Sequence, residues 1–237
     1  MVLPTTISLA PSRFLTLLQL CDTALPIGAF SFSNGLETYT QQGLMPEVAT
    51  LQEWLEAILH YAVHGSHLLP VAIAYRATAA ADWAQLERLD QQLTAMKHAR
   101  ELREASVKTG QGLLRLAVQV WPGPTVERLY ALCQQQRMAG HQALVLGVLG
   151  SELGWEERVI VEAAGYQWLS GMVSATLRLL PIGQLTGQRL LAALLQHLPA
   201  IADDVRQQGW DDLSSAAPEF DIRAMQHETL YSRLFRS

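Results

Sequence analysis

Apolar residues recur along this chain at the three-and-four spacing of an α-helix almost from end to end. Leu51, Trp54, Leu55, Ile58, Leu59 and Ala62 form one stripe, and Thr50 with Glu53 makes a capping-box pattern at its start. Leu190, Leu191, Leu194, Leu195 and Leu198 repeat the pattern after Thr186, and Pro199 marks its end. A longer, more polar helix opens near Asp82 and carries Leu86, Leu89, Leu93 and Met96, and Thr125 opens another through Val126, Leu129 and Leu132. His141–Leu153 and Glu156–Leu180 are apolar on most faces, the pattern of central helices packed on several sides. Gly147, Gly150, Gly165 and Gly171 punctuate them, where close helix approach compensates a propensity cost of about 1 kcal/mol per glycine. The only β-branched run, Val159–Ile160–Val161, sits inside a helical pattern. The breaks at Trp121–Pro124, Pro181–Gly183 and Ser214–Pro218 are too short for domain linkers. The pattern predicts an all-α fold: a single compact domain of about ten helices over residues 1–237, with a flexible N-terminus over 1–11.

Composition sharpens this picture. Of 237 residues, 49% are hydrophobic and only 16% charged, against roughly 25% charged in an average globular protein. Such a chain is too apolar for disorder, and it has too few charges to cover an ordinary surface, so some apolar surface is expected to meet a partner. The net charge of −5 and the lack of a Lys/Arg cluster argue against nucleic acid as the main ligand. Cys21 and Cys133 are too few for a disulfide framework or a four-cysteine zinc site. The N-terminus lacks a basic start followed by an apolar core, so no export signal is read there. Ala163–Leu177, the longest uncharged stretch, is shorter than the ~20 residues a membrane span needs and contains Gln167, Ser170, Ser174 and Thr176. It reads as a buried core helix, and the chain as cytoplasmic with no membrane partner.

Enzyme motifs are missing. There is no glycine-rich loop ending in Gly-Lys-Ser/Thr, no strand–glycine–helix dinucleotide element and no Gly-x-Ser-x-Gly elbow. Ser31 and Ser33 have no base nearby in sequence and read as turn and capping residues. One constellation has metal-ligand spacing: Glu56, His60 and His64 fall at successive four-residue steps, with Glu53 and His67 adjacent. The competing reading is a solvated polar face near a helix C-terminus. A helical metal-binding protein or carrier using Glu56, His60 and His64 is therefore the alternative function.

Two segments stand apart. In Leu25-Pro-Ile-Gly-Ala-Phe-Ser-Phe-Ser-Asn-Gly-Leu-Glu-Thr-Tyr39, Pro26 fixes a backbone angle and Gly28 frees one, so the chain turns sharply. Phe30 and Phe32 are expected to anchor inward, and Ser33 or Asn34 to cap a helix that runs to Gln42 and stops at Gly43. The C-terminal tail, residues 221–237, sets Ile222, Met225, Leu230, Leu234 and Phe235 among Arg223, Arg233 and Arg236, a composition suited to docking. The competing reading is a terminal segment folded onto its own core.

The first of these segments closely resembles the N-terminal signature of the urease accessory protein UreF family. Arg103, Ser106 and Gly110, then His141 with Gly147, look like further landmarks of that family in the right order. Arg178-Leu-Leu-Pro-Ile-Gly-Gln184 with Gly187-Gln188 is similar to its Arg-Leu-x-Pro-Leu-Gly-Gln…Gly-Gln segment, and Met225–Glu228 with Ser232–Ser237 to its ending. Ile182 stands in place of the usual Leu.

The resemblance implies an all-α, non-enzymatic protein that helps insert nickel into apo-urease. By the same resemblance it forms a homodimer, binds UreD (UreH in some organisms) and recruits the GTPase UreG, which it either positions or modulates. No permanently bound cofactor is implied, and nickel is handled by the assembled complex. The residues expected to carry partner binding are Glu37, Tyr39, Arg178, Gln184, Gln188, Tyr231, Arg233, Leu234, Phe235 and Arg236. Glu37 and Tyr39 could equally serve local packing, and Arg178 an internal ion pair. The tail is assigned to UreD, the Arg178–Gln188 region to a dimer surface that meets UreG, and the apolar helices from His141 to Leu180 are candidates for the homodimer interface.

Overall fold

A computed structural model describes residues 13–45 and 47–236. The expected flexible segment 1–11 lies outside the described residues. Among these there are twelve α-helical segments and no strand: α1 (Arg13–Cys21), α2 (Leu36–Gln41), α3 (Val48–Ile58), α4 (Leu69–Ala79), α5 (Trp83–Met96), α6 (Arg100–Val120), α7 (Pro124–Gln134), α8 (Gln142–Glu152), α9 (Glu157–Leu179), α10 (Gln184–Leu195), α11 (Leu198–Val205) and α12 (Pro218–His227). The expected all-α architecture is thus the observed one, and Val159–Ile160–Val161 lies within α9.

Helix α8 lies at the centre. Every residue from Ala143 to Gly150 is buried, and its main neighbours are α4 and α6. Glycine makes that approach possible. A Cβ at Gly147 would stand against the Val71 carbonyl oxygen and 2.6 Å from the Ala74 Cβ. Since α8 is enclosed by its own chain, it is not available as the dimer surface for which the sequence made it a candidate.

The segments α3 and α4 belong to one continuous rod, Val48–Ala79, joined through a π-helical stretch over Leu59–Leu68. A change from i→i+4 to i→i+5 hydrogen bonding within a helix is rare. The rod is long and apolar enough by length and composition to cross a membrane, but 67% of its most apolar window is buried inside the fold. One hydrophobic cluster includes its residues together with Leu20 and Phe235 near the two described ends.

Some helix starts differ from their sequence signals. Asp82 caps α5 as expected, its carboxylate accepting from the Gln85 N–H at 2.9 Å. The Thr50/Glu53 pattern is not used as a cap: the rod begins at Val48 behind Glu47, and Thr50 lies inside the first turn. Pro124, rather than Thr125, opens α7, and Gln184 opens α10 ahead of Thr186. Pro199 lies in the first turn of α11, just after Leu198, where its missing N–H costs nothing, instead of merely closing α10.

Gly147→Ala tests the central crossing. Better helix propensity would favour alanine by up to ~1 kcal/mol, but the added methyl meets backbone that cannot rotate away. A net loss of about 1–3 kcal/mol is expected from urea unfolding; unchanged or greater stability would show that the rod and α8 can separate freely.

Candidate functional site

The Leu25–Tyr39 segment folds as a tight loop that delivers a helix. Ile27 N–H bonds back to the Leu25 carbonyl (2.7 Å), and Gly28 adopts a left-handed φ of 80°. A 3-10 turn, Ala29–Ser31, follows, and the Ser31 hydroxyl donates to the Gly28 carbonyl at 2.8 Å. Gly35, at φ 84°, precedes α2 and packs beside Ala224 of α12. Gly35, not the expected Ser33 or Asn34, takes the N-cap position, with no side-chain cap; the Ser33 hydroxyl oxygen accepts from the Glu37 N–H at 3.4 Å. Gly43 ends the helix in a left-handed conformation, with Leu44 N–H reaching back to the Tyr39 carbonyl.

Phe32 is buried as expected, whereas Phe30 is 66% exposed and does not anchor inward. Its ring is instead covered by Arg178 from α9, whose guanidinium carbon lies 3.7 Å from the Phe30 centroid and 4.2 Å from the Phe235 centroid. The same guanidinium donates to the Phe30 carbonyl at 2.8 Å. Arg178 has no carboxylate partner among the described residues; two aromatic faces and the carbonyls of Phe30 and Ser174 take that place.

The tail, after leaving α12, returns to this loop. Glu37, only 2% exposed, accepts from the backbone N–H groups of Leu234 (2.7 Å) and Phe235 (3.0 Å). Its Oε2 also lies 3.0 Å from Nε2 of His227, a fully buried ring whose Nδ1 is 2.6 Å from Glu101 on α6. Glu101 in turn accepts from Arg233 at 2.9 Å. Arg236 N–H bonds the Ser31 carbonyl, and Gln41 donates to the Ser232 carbonyl, both at 2.9 Å. Signature loop, α6, α9, α12 and tail therefore meet in one buried polar junction. Each ring nitrogen of His227 thus faces a carboxylate, one from α2 and one from α6. Burial by itself would raise the Glu37 carboxyl, but the Leu234 N–H, His227 and the Phe235 N–H outweigh it and hold it below the ordinary carboxylate range.

This placement sorts the expected binding residues. Glu37, Tyr39 and Phe235 are buried, and hold the tail and α2 rather than face outward. Tyr39 stacks 4.9 Å from Trp54, with Arg223 above it. Tyr231 is fully exposed and Leu234 63% exposed, beside exposed Arg233 and Arg236. Gln184 and Gln188 are exposed on α10, which Gly187 seats against Leu177 of α9. The mid-chain landmarks meet as well: His141 contacts the Ser106 hydroxyl (3.0 Å) and the Thr94 hydroxyl (2.9 Å), and a side chain at Gly110 would strike the Gly140–Gln142 backbone. Burial, then the charges of Lys97 and Arg103, push His141 down to about 3, so it is a neutral hydrogen-bonding core group.

Glu101 and His227 escaped sequence reasoning as functional positions. A signal existed for Glu101, which falls in helical register with Ala105, Thr109 and Gly112 on the buried face of α6. The metal constellation is not gathered. His60 meets His197 of the α10–α11 turn (3.2 Å), His64 meets Gln208 (2.9 Å) and Asp204 (3.5 Å), and His67 is buried. Among the described residues no group of three His, Cys, Asp or Glu side chains could hold a metal.

The fold and junction define an all-α protein in which the signature loop, Arg178 of α9 and the C-terminal landmarks, more than two hundred residues apart at their extremes, converge to fasten the tail. Residues 47–195 match the UreF family. The chain is 34% identical over 228 residues to the urease accessory protein UreF of Arthrobacter sp. (strain FB24), covering 96% of this chain and 99% of that protein. It is 34% identical over 221 residues to the protein of the same name from Actinobacillus pleuropneumoniae serotype 3 (strain JL03), with 93% and 97% covered. It is 31% identical over 234 residues to that from Trichormus variabilis, with 98% and 99% covered. The chain belongs to the UreF family of urease accessory proteins.

Replacing His227 by alanine leaves Glu37 and Glu101 facing one another in a buried cavity. A loss of about 3–5 kcal/mol is expected in urea unfolding at pH 7, and a loss below 1 kcal/mol would show that the junction is not the clamp its geometry describes. Acid acts on the same contacts. Because the Glu37 carboxyl is depressed in the folded state, its contribution is present above the unfolded carboxylate value and disappears as pH falls through the folded one. The stability difference between wild type and Glu37→Gln should thus narrow on acidification below about pH 4.5; a constant gap from pH 7 to pH 3 would contradict it.

Proposed function

We propose that this chain is a non-enzymatic adaptor in urease maturation: with UreD (UreH) and the GTPase UreG it forms the complex that inserts nickel into apo-urease. The observation that carries this reading is near full-length similarity to proteins named urease accessory protein UreF. Nickel is cargo of the assembled complex in this reading, and the chain acts by holding partners together as a homodimer.

Two surfaces fit separate partners. Tyr231 and Leu234 project from the tail beside Arg233 and Arg236, combining exposed apolar area with directional donors. This surface is assigned to UreD. Gln184 and Gln188, exposed on α10 just beyond the Arg178 clamp, are assigned to the dimer surface that meets UreG. Arg178, Glu37, Tyr39 and Phe235 act indirectly, by fixing the loop and tail from which the exposed side chains project.

Deleting the residues after Glu228 would strip the junction of its partners, so point substitutions are the cleaner test. Tyr231→Ala/Leu234→Ala should keep the melting temperature of the parent and capture UreD at least tenfold less tightly in a pull-down. Equal capture would remove the tail from the interface. Complexes purified from cells that also express urease and its other accessory proteins should contain this chain together with UreD and UreG; their absence would defeat the adaptor reading.

A further inference from the structure

The π-helical stretch of the rod has a consequence separate from the junction. It carries His60, which meets His197 at the α10–α11 turn, and His64, which meets Gln208. His60 Nε2 and His197 Nδ1 lie 3.2 Å apart, with the ring planes at 79°. Two nitrogens in this relation either share one proton or share one ion. Metal–nitrogen bonds of about 2.0–2.1 Å place two neighbouring ligands of a single ion roughly 2.9–3.4 Å apart. The observed separation falls inside that window without any movement of the backbone.

We infer that His60 and His197 form a surface site for one borderline divalent transition cation, Zn²⁺, Ni²⁺ or Cu²⁺, with water completing its coordination. Imidazole pairs suit these ions, whereas Mg²⁺ and Ca²⁺ demand oxygen ligands. Glu56 supplies the orienting contact: its Oε1 lies 3.6 Å from His197 Nε2, on the side of the ring away from His60. With its proton on Nε2 facing that carboxylate, His197 presents the Nδ1 lone pair to the site. His60 then needs only to carry its own proton on Nδ1. His60 is exposed and His197 is about one-third exposed, so an ion in solution can reach the pair. Among the described residues no third side chain converges, which makes this an exchangeable site rather than a structural one. It is also a different site from the Glu56/His60/His64 face that the four-residue spacing suggested, because His64 is engaged by Gln208 and Asp204.

Isothermal titration of the purified full-length chain with ZnCl₂, NiCl₂ and CuCl₂, with MgCl₂ as control, tests the assignment. One ion per chain is expected for at least one of the three transition cations and none for Mg²⁺. His60→Ala and His197→Ala should each weaken binding at least tenfold, while His64→Ala should change it less than threefold. Melting temperatures of all variants establish that they remain folded, since neither histidine belongs to the core. Absence of binding by the wild type, or binding unaffected by His197→Ala, would overturn the site. An equal loss in His64→Ala would return the ligands to the helix face and overturn the pairing proposed here. None of these outcomes bears on capture of UreD through the tail.

Discussion

The tail of this protein is held in place by charge buried where charge is expensive. Glu37, His227, Glu101 and Arg233 form an alternating chain, acid to base to acid to base, with three of the four almost completely removed from solvent. Taking any one of them out of water alone would cost several kcal/mol, and only the complete set with its two backbone donors satisfies every member. An arrangement of this kind contributes less to overall stability than to uniqueness of geometry. The tail can adopt this path or leave it, but a register slipped by one residue would exchange the Leu234 and Phe235 N–H groups for wrong neighbours and strand the Glu37 carboxylate.

The helical body makes the junction possible by bringing its contributors to one place. Helix α6 presents Glu101 in its first turn, because the Ala105–Thr109–Gly112 face below is turned into the core. Helix α9 presents Arg178 in its last turn, where a cation also complements the helix dipole. Its guanidinium lies between Phe30 of the loop and Phe235 of the tail, so one side chain bridges segments more than two hundred residues apart in sequence.

Much of this is legible in the amino-acid sequence. The three-and-four periodicity is a direct statement of helix because a single period accounts for nearly every apolar position, and the Gly43 stop follows from local chemistry alone. The landmark residues of the resemblance also pointed to the right regions. Their roles were not legible. Whether Glu37 faces a partner or a histidine depends on a contact 190 residues away, which no local pattern encodes. Phe30 was read as an inward anchor from alternation with Phe32, but alternation presumes an extended strand, and the 3-10 turn at Ala29–Ser31 rotates Phe30 outward. The Glu56/His60/His64 face failed because partners distant in sequence engage its members: His60 meets His197, and His64 meets Gln208 and Asp204.

That π-helical stretch also says something about the chain's tolerance of length changes. A helix bonded i→i+5 accommodates a residue that an α-helix of equal pitch would not. The rod is fixed at one end by the Trp54–Tyr39 contact and at the other by α8 against Val71 and Ala74. Loss of one residue between Leu59 and Leu68 could therefore be absorbed by reversion to ordinary α-helical bonding, with both anchored ends left where they are. What could not survive is the orientation of the side chains in between. His60 and His64 would turn away from His197 and Gln208, and the buried Leu59, Ala62, Val63, Gly65, His67 and Leu68 would turn with them, so the length of this stretch is tied to the core as well as to the surface it presents.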